Sequence, residues 1–371
     1  MNSISEIRER IVGELKAAGV SAPDITADAL ISETLGCDRA YLYSHTESPV
    51  PEERENHIDD WVAQRLDGVP LHRIIGWREF FSLRFQVGPG VFLPRPETET
   101  LVETVLESLK DVQRPLICDV GCGAGIVGLS LALERPDARV VLLDTFQEPL
   151  DLTLHNATLL GILDRVTVLK SDLLSTFREG LFDSEYRTHK TGSIGEINLS
   201  LAAGEEETAA YAEMGGSGSR PKKTSPIEDV TRVTFDAVVS NPPYVESSVI
   251  DTLDSEVKDY DPHPALDGGP DGTEFLQRLL AETVGLADPS AGEGNSHIME
   301  VSLTANREWV SVVKPFLRPE GILAMELSPG QPEILVRWLE ENPEVARQWQ
   351  QPGEIIKDLW DRDRVAVWKK R

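Results

Sequence analysis

Four consecutive residues, Asn241-Pro242-Pro243-Tyr244, carry groups suited to holding a planar nitrogen. The Asn241 side-chain oxygen and the Pro242 carbonyl can each accept an N–H bond from an amide or an exocyclic amine. Proline fixes its own φ and restricts the residue before it, so both acceptors would be held nearly rigid. Tyr244 adds a flat face for packing against the planar group. The run before them, Phe235-Asp236-Ala237-Val238-Val239-Ser240, reads as a strand, which places the four residues at its carboxyl end. Open α/β sheets bind their ligands there. Taken alone, the motif also fits a proline-stiffened turn. Its place after a glycine-rich strand–helix unit favours a site.

That unit is Asp119-Val120-Gly121-Cys122-Gly123-Ala124-Gly125. Its glycines let the backbone turn sharply and approach a ligand where no side chain would fit. Asp144 ends the next strand about 20 residues further on, where an acid can accept hydrogen bonds from ribose hydroxyls. Two cofactors fit this pattern. The loop suits S-adenosylmethionine, and Gly123-Ala124-Gly125-Ile126-Val127-Gly128 also matches the G-x-G-x-x-G fingerprint of NAD. Glycines used only for close strand–helix packing are the plainer alternative. After the following strand, Ser171-Asp172-Leu173 falls where an adenine would lie. Asp172 can accept from the exocyclic amine and Leu173 can pack on the ring, although an exposed turn acid accounts for Asp172 equally well.

The elements that must position these residues are legible as periodicities. Ile4, Ile7, Ile11, Leu15 and Ala18 recur at helical steps,. Asp24 or Thr26 is placed to cap a second helix with Ala29, Leu30, Thr34 and Leu35 on its face. Pro51-Glu52-Glu53 opens a third helix, bearing Ile58, Trp61, Val62 and Leu66. Beyond Gly76, Phe80 to Val87 alternates as one strand, Gly88-Pro89-Gly90 reads as a turn, and Val91-Phe92-Leu93 as a returning strand. Pro96 and the acids behind it suit the start of a helix carrying Leu101, Val105, Leu106 and Leu109. From Leu116, strands and helices alternate, which predicts a parallel sheet with helices on both faces. The Gly-, Ser-, Glu- and Thr-rich stretch 183–229 reads as a flexible insertion, and 288–296 as a shorter one.

The whole-chain numbers exclude several classes. The 371 residues are 40% hydrophobic and 27% charged, with no apolar run of membrane-spanning length,. The N-terminus has neither a secretory core nor the acid-poor character of a transit peptide, so a cytoplasmic location and no membrane partner are expected. Cys37, Cys118 and Cys122 lack a second pair or a nearby His cluster, so no metal site is expected. A net charge of −27 opposes a phosphate backbone, so stable nucleic-acid binding is not expected,. The charge suits a basic protein partner.

Asn-Pro-Pro-Tyr in this setting resembles the motif of amino-group methyltransferases, both DNA adenine enzymes and protein glutamine enzymes. Other stretches choose between them. Val87-Gly88-Pro89-Gly90-Val91 followed by Pro94-Arg95-Pro96-Glu97-Thr98-Glu99, and Pro70-Leu71-His72-Arg73-Ile74-Ile75-Gly76 with Glu79-Phe80, resemble the HemK family of release-factor glutamine methyltransferases. Asp261 to Gly272, Met325 to Gln331, and Lys357-Asp358 with Asp363-Arg364-Val365 are similar to its downstream segments. The resemblance implies a class I S-adenosylmethionine methyltransferase: a Rossmann-like α/β fold with a seven-stranded, mostly parallel sheet and a small all-helical N-terminal domain. It divides the chain into a helical domain that docks the release factor (1–76), a β-hairpin linker (77–95) and a methyltransferase domain (96–371). It puts the cofactor on Gly121, Cys122, Gly123, Ala124, Gly125, Asp144, Asp172, Leu173 and Asn241. The substrate, a glutamine in a Gly-Gly-Gln loop, falls on Asn241, Pro242, Pro243 and Tyr244, with Asn241, Pro242 and Tyr244 in the catalytic role. Two positions depart from the pattern: Leu173 stands where an aromatic is frequent, and Asp261 where Glu is usual. Three rival readings are a nucleic-acid adenine or cytosine amino-methyltransferase working on a flipped base, a dehydrogenase, and a non-catalytic translation-factor binder on the same fold.

Overall fold

Ile4, Ile7, Ile11 and Leu15 line one face of helix α1 (Ile4–Ala17) and are all buried. Ser3 starts this helix with a reciprocal cap: its Oγ accepts from Glu6 N, and Glu6 Oε2 accepts from Ser3 N at 2.7 Å,. With α2 (Pro23–Leu35), α3 (Arg39–Ser44), α4 (Glu52–Leu66) and α5 (Leu71–Ile75), α1 encloses a core of Ile7, Ile11, Leu30, Ile31, Ile58 and Val62. Each such buried side chain contributes about 1.5–3 kcal/mol. The expected cap of α2 at Asp24 or Thr26 is not used. The helix begins at Pro23 after a left-handed Ala22 (φ 47°), with no side-chain cap. Proline is pre-set for that first position. The computed structural model describes residues 1–177, 234–287, 310–311 and 315–371. The insertions expected at 183–229 and 288–296 lie outside the described residues.

The hairpin sits earlier than its pattern suggested. Strands β1 (Trp77–Phe80) and β2 (Leu83–Gln86) pair antiparallel around Phe81-Ser82. Both turn residues have positive φ, 52° and 59°. A two-residue turn of that kind matches the right-handed twist of paired strands. Glu99 Oε1 accepts from Phe81 N at 2.8 Å, which helps hold the strained turn. The alternation of Phe80, Leu83 and Phe85 therefore belongs to two strands, and 91–93 forms none. The hairpin occupies 77–86 of the expected 77–95 linker.

The seven-stranded sheet runs in the order β10 (Trp349–Lys357), β11 (Asp363–Lys370), β9 (Leu317–Glu326), β6 (Phe235–Ser240), β3 (Leu116–Val120), β4 (Arg139–Asp144), β5 (Val166–Lys170). Only β11 runs antiparallel to its neighbours in this sheet. Two further strands, β7 (Leu286–Ala287) and β8 (Val310–Ser311), pair separately. Successive residues feed opposite cores. Ile117, Val140 and Ala237 join the cluster under α6 (Glu99–Ser108), α7 (Ile126–Glu134) and α8 (Gln147–Leu159). Cys118, Val141 and Val238 join the one under α9 (Glu274–Glu282) and α10 (Gln331–Glu341). The chain's direction across the sheet reverses between β3 and β6, which opens a crevice at their carboxyl ends. Among the described residues, no helix is long and apolar enough to cross a membrane.

Asp261 joins the helical part to the segment that leads into α6. Its fully buried carboxylate accepts from Arg73 Nη2 at 2.9 Å, Arg95 Nη2 at 2.7 Å and Leu93 N at 3.2 Å. Arg73 also donates to the carbonyls of Gly88, Val91 and Tyr260, and Arg65 pairs with Glu256 nearby. Removing the carboxylate strands a buried guanidinium, which costs about 3–5 kcal/mol. Asp261→Ala is expected to lose that much stability in chemical denaturation; a loss below about 1 kcal/mol would contradict the hub, since that is the usual worth of an exposed pair.

Candidate active site

Two loops leave the crevice side by side. β3 ends at Val120 and β6 at Ser240, and the buried Ser240 hydroxyl donates to the Val120 carbonyl at 2.6 Å. This bond ties the root of Gly121–Gly125 to the root of Asn241–Tyr244.

The first loop turns through three positive-φ glycines, Gly121, Gly123 and Gly125 (φ 70°, 57° and 79°). A Cβ on Gly121 or Gly123 would meet nothing within 4 Å, so these two leave open space over the loop. A Cβ on Gly125 would lie 2.9 Å from Thr153 Cγ2, and one on Gly128 2.9 Å from Asp119 Oδ2 and Leu142 Cδ2. The last two glycines of the G-x-G-x-x-G pattern are thus packing glycines. Gly123 N donates to Asp144 Oδ2 at 3.0 Å and Phe146 N to Asp144 Oδ1 at 3.1 Å. Burial pushes the Asp144 carboxyl up, and these backbone bonds oppose the rise. The loop is also held from below. Thr153 Oγ1 donates to Gly123 O, and Asn156 Nδ2 donates to Ala124 O, both at 2.9 Å. Asn156 clasps the hairpin as well, accepting from Gln86 N and donating to Gln86 O.

Under the second loop, the segment Asp267–Gly272 packs backbone against backbone. Gly268 N donates to Val245 O, and a Cβ on Gly268 would lie 2.8 Å from Pro243 O and Tyr244 Cα. At Gly272 it would lie 2.4 Å from Tyr244 O. Gln331 clamps the two segments, donating from Nε2 to Tyr244 O at 2.8 Å and to Gly272 O at 3.0 Å. The glycines of this stretch exist because no side chain fits there.

Two side chains of the second loop reach the buried pair Thr98 and Glu326. Asn241 Nδ2 donates to the buried Thr98 hydroxyl at 3.1 Å. Tyr244 OH donates to Glu326 Oε1 at 2.9 Å. Glu326 ends β9 and is fully buried. Burial raises its pKa, while hydrogen bonding from Thr98 and Tyr244 draws it down. Burial and the Glu326 charge push the Tyr244 phenol well above its ordinary value.

The structure therefore brings Gly121, Cys122, Gly123, Ala124, Gly125, Asp144, Asn241, Pro242, Pro243 and Tyr244 to one edge of the sheet. Asp172 and Leu173 follow β5 on that edge with different surroundings. Asp172 is exposed and pairs with Arg278 at 3.1 Å. Leu173 is 8% exposed, with φ 46°, within the core cluster that includes Val120 and Leu143. Cys118 and Cys122 are free and buried, and burial pushes both thiols well up. Among the described residues no group of three or more His, Cys, Asp and Glu is arranged to hold a metal ion. Composition and spacing gave no role to Thr98, Thr153, Asn156, Glu326 or Gln331. An acid closing the apolar run Ile322-Leu323-Ala324-Met325 was the one visible signal among them.

A family model described as PrmC N-terminal domain matches residues 6–76, and one described as Methyltransferase small domain matches residues 82–184. The release factor glutamine methyltransferase of Clostridium botulinum is 30% identical over 272 residues, covering 73% of this chain and 78% of that one. That of Rhodopirellula baltica is 30% identical over 288 residues, covering 76% and 78%. That of Koribacter versatilis is 31% identical over 268 residues, covering 72% and 76%.

Asp119 anchors the site from within the sheet, accepting from Gly128 N at 2.8 Å. Burial pushes its carboxyl up to about 7, the Gly128 bond opposes this, and the Asp144 charge adds to the rise. An acid whose folded pKa lies above its unfolded value makes the folded state bind more protons, so stability falls as pH rises between the two values. Here that window runs from 3.8 to about 7. Asp119→Asn keeps an acceptor for Gly128 N and has no such proton, so it is expected to lose less stability between pH 5 and 8 in urea unfolding. Parallel pH profiles for variant and parent would contradict the assignment.

Proposed function

Since the chain belongs to the release factor glutamine methyltransferase family, we propose that it transfers a methyl group from S-adenosylmethionine to the side-chain amide nitrogen of the Gly-Gly-Gln glutamine in a peptide chain release factor. The observation that carries this reading is the pairing, at one sheet edge, of an open glycine loop with a rigid acceptor pair, Asn241 and Pro242. The donor fits the loop. The space over Gly121 and Gly123 admits close approach of a ligand, and Asp144, whose two oxygens each take one backbone donor, has lone pairs left for ribose hydroxyls,. In this reading Cys122, Ala124 and Gly125 complete the cradle, and Asp172 and Leu173 lie at its adenine end. When bound, the donor supplies a methyl group on a sulfonium, already activated for transfer.

The chain's own residues then have three tasks. An amide nitrogen is a poor nucleophile, because its lone pair is delocalised into the carbonyl. Catalysis is therefore mostly positioning and exclusion of water. Asn241 Oδ1 and Pro242 O accept the two N–H bonds of the glutamine amide, which orients the nitrogen. The same acceptors stabilise the positive charge it gains as the methyl group arrives. Tyr244, fixed through Glu326, packs against the amide plane, and Pro243 holds the turn. The helical region 1–76 docks the release factor, and the strongly acidic chain draws in a basic partner,.

Transfer of radiolabelled methyl groups from S-adenosylmethionine to an unmodified release factor tests the reading. Asn241→Ala is expected to keep donor binding and to lose transfer by on the order of a hundredfold. Near-normal turnover would contradict the role of Asn241. Labelling of DNA in place of the release factor would support a nucleic-acid amino-methyltransferase instead.

A further inference from the structure

Thr98 has one hydroxyl proton and two polar neighbours, Asn241 and Glu326. Asn241 Nδ2 stands 3.1 Å from Thr98 Oγ1, and the same hydroxyl interacts with the Glu326 carboxylate. Glu326 Oε1 takes the Tyr244 hydroxyl, while Oε2 meets no donor at full hydrogen-bond geometry among the described residues, so it is open to the Thr98 proton. When ionised, a carboxylate only accepts. An ionised Glu326 draws the Thr98 proton toward its open oxygen, which leaves the Thr98 oxygen to accept from the Asn241 nitrogen, as it does here. The Asn241 oxygen is then left free.

We propose that Glu326 is a positioning residue which fixes the direction of this hydrogen-bond chain, so that Asn241 presents an acceptor, and never a donor, to the amide nitrogen being methylated. Without the carboxylate, Thr98 can donate to Asn241 Oδ1 and the amide turns over. Its NH2 group would then face the substrate N–H, donor against donor. The two faces of an Asn amide are nearly isosteric, so shape alone does not choose between them. Burying an acid is costly unless it is paired, and the charged or titratable groups that influence Glu326 are Tyr244 on the loop after β6, Glu97 before α6 and Arg364 on β11. The proposal rests on the reading of the site as an amide methyltransferase and adds what determines its polarity.

Steady-state kinetics of the full chain with release factor, alongside calorimetric donor binding, test it. Glu326→Gln is expected to hold donor affinity and release-factor KM within about twofold while kcat falls by about ten- to a hundredfold, the pattern of an interaction made in the transition state. Thr98→Val is expected to fall comparably, and Thr98→Ser, which keeps the hydroxyl, to stay near the parent. The double variant Glu326→Gln/Thr98→Val is expected to be no slower than either single one, because both break the same chain. The parent's kcat is expected to drop as pH falls through a value above the ordinary Glu range, and Glu326→Gln to lack that limb. Parent-like kcat in Glu326→Gln, or losses that multiply in the double variant, would overturn the positioning role alone. Absence of transfer by the parent chain would overturn the site reading and the proposal together.

Discussion

The placement of β6 beside β3 constrains everything else in the site. The two strands run parallel, in register from Ile117 opposite Ala237 to Asp119 opposite Val239. Neighbouring strands lie about 4.8 Å apart, so the loops leaving their carboxyl ends are obliged to be neighbours. The Ser240–Val120 hydrogen bond fixes the junction. The remaining features keep that edge clear and rigid. Gly128 lets α7 settle on β3, and Gly268 and Gly272 let a second backbone lie against Pro243 and Tyr244. Gln331 clamps the layers together.

Three buried carboxylates give this framework its polarity. Asp119 holds the start of α7, Glu326 holds Tyr244, and Asp261 holds Arg73, Arg95 and the backbone at Leu93. Apolar residues of similar size would be cheaper to bury, since an ion loses its hydration in the interior. Each acid instead fixes a direction or a junction that packing alone leaves open.

Sequence reading went furthest where information is local. β6 was legible to the residue because the run Ala237-Val238-Val239-Ser240 ends abruptly at Asn241, and the glycine loop because its turn admits few other residues. The hairpin was misplaced because Phe81 and Ser82, with no glycine between them, hide a turn that Glu99 supports from outside the hairpin. Thr98 and Glu326 were silent as polar contacts because their partners are remote in the chain and meet only when the sheet assembles. Asn156 is the same case: a helix position whose spacing says nothing about the hairpin backbone it will grip. The surroundings of Asp172 likewise turn on Arg278, a partner no local pattern reveals.

The geometry assembled at this edge can be summed up as an acceptor pair fixed beside an open loop, and its chemistry is tested by finding where the methyl group goes. Tandem mass spectrometry of a release factor, incubated with the chain and S-adenosylmethionine, locates it. One added methyl on the side-chain nitrogen of the Gly-Gly-Gln glutamine is the predicted result. A methyl group on any other atom of the release factor, or none with donor binding intact, would contradict it.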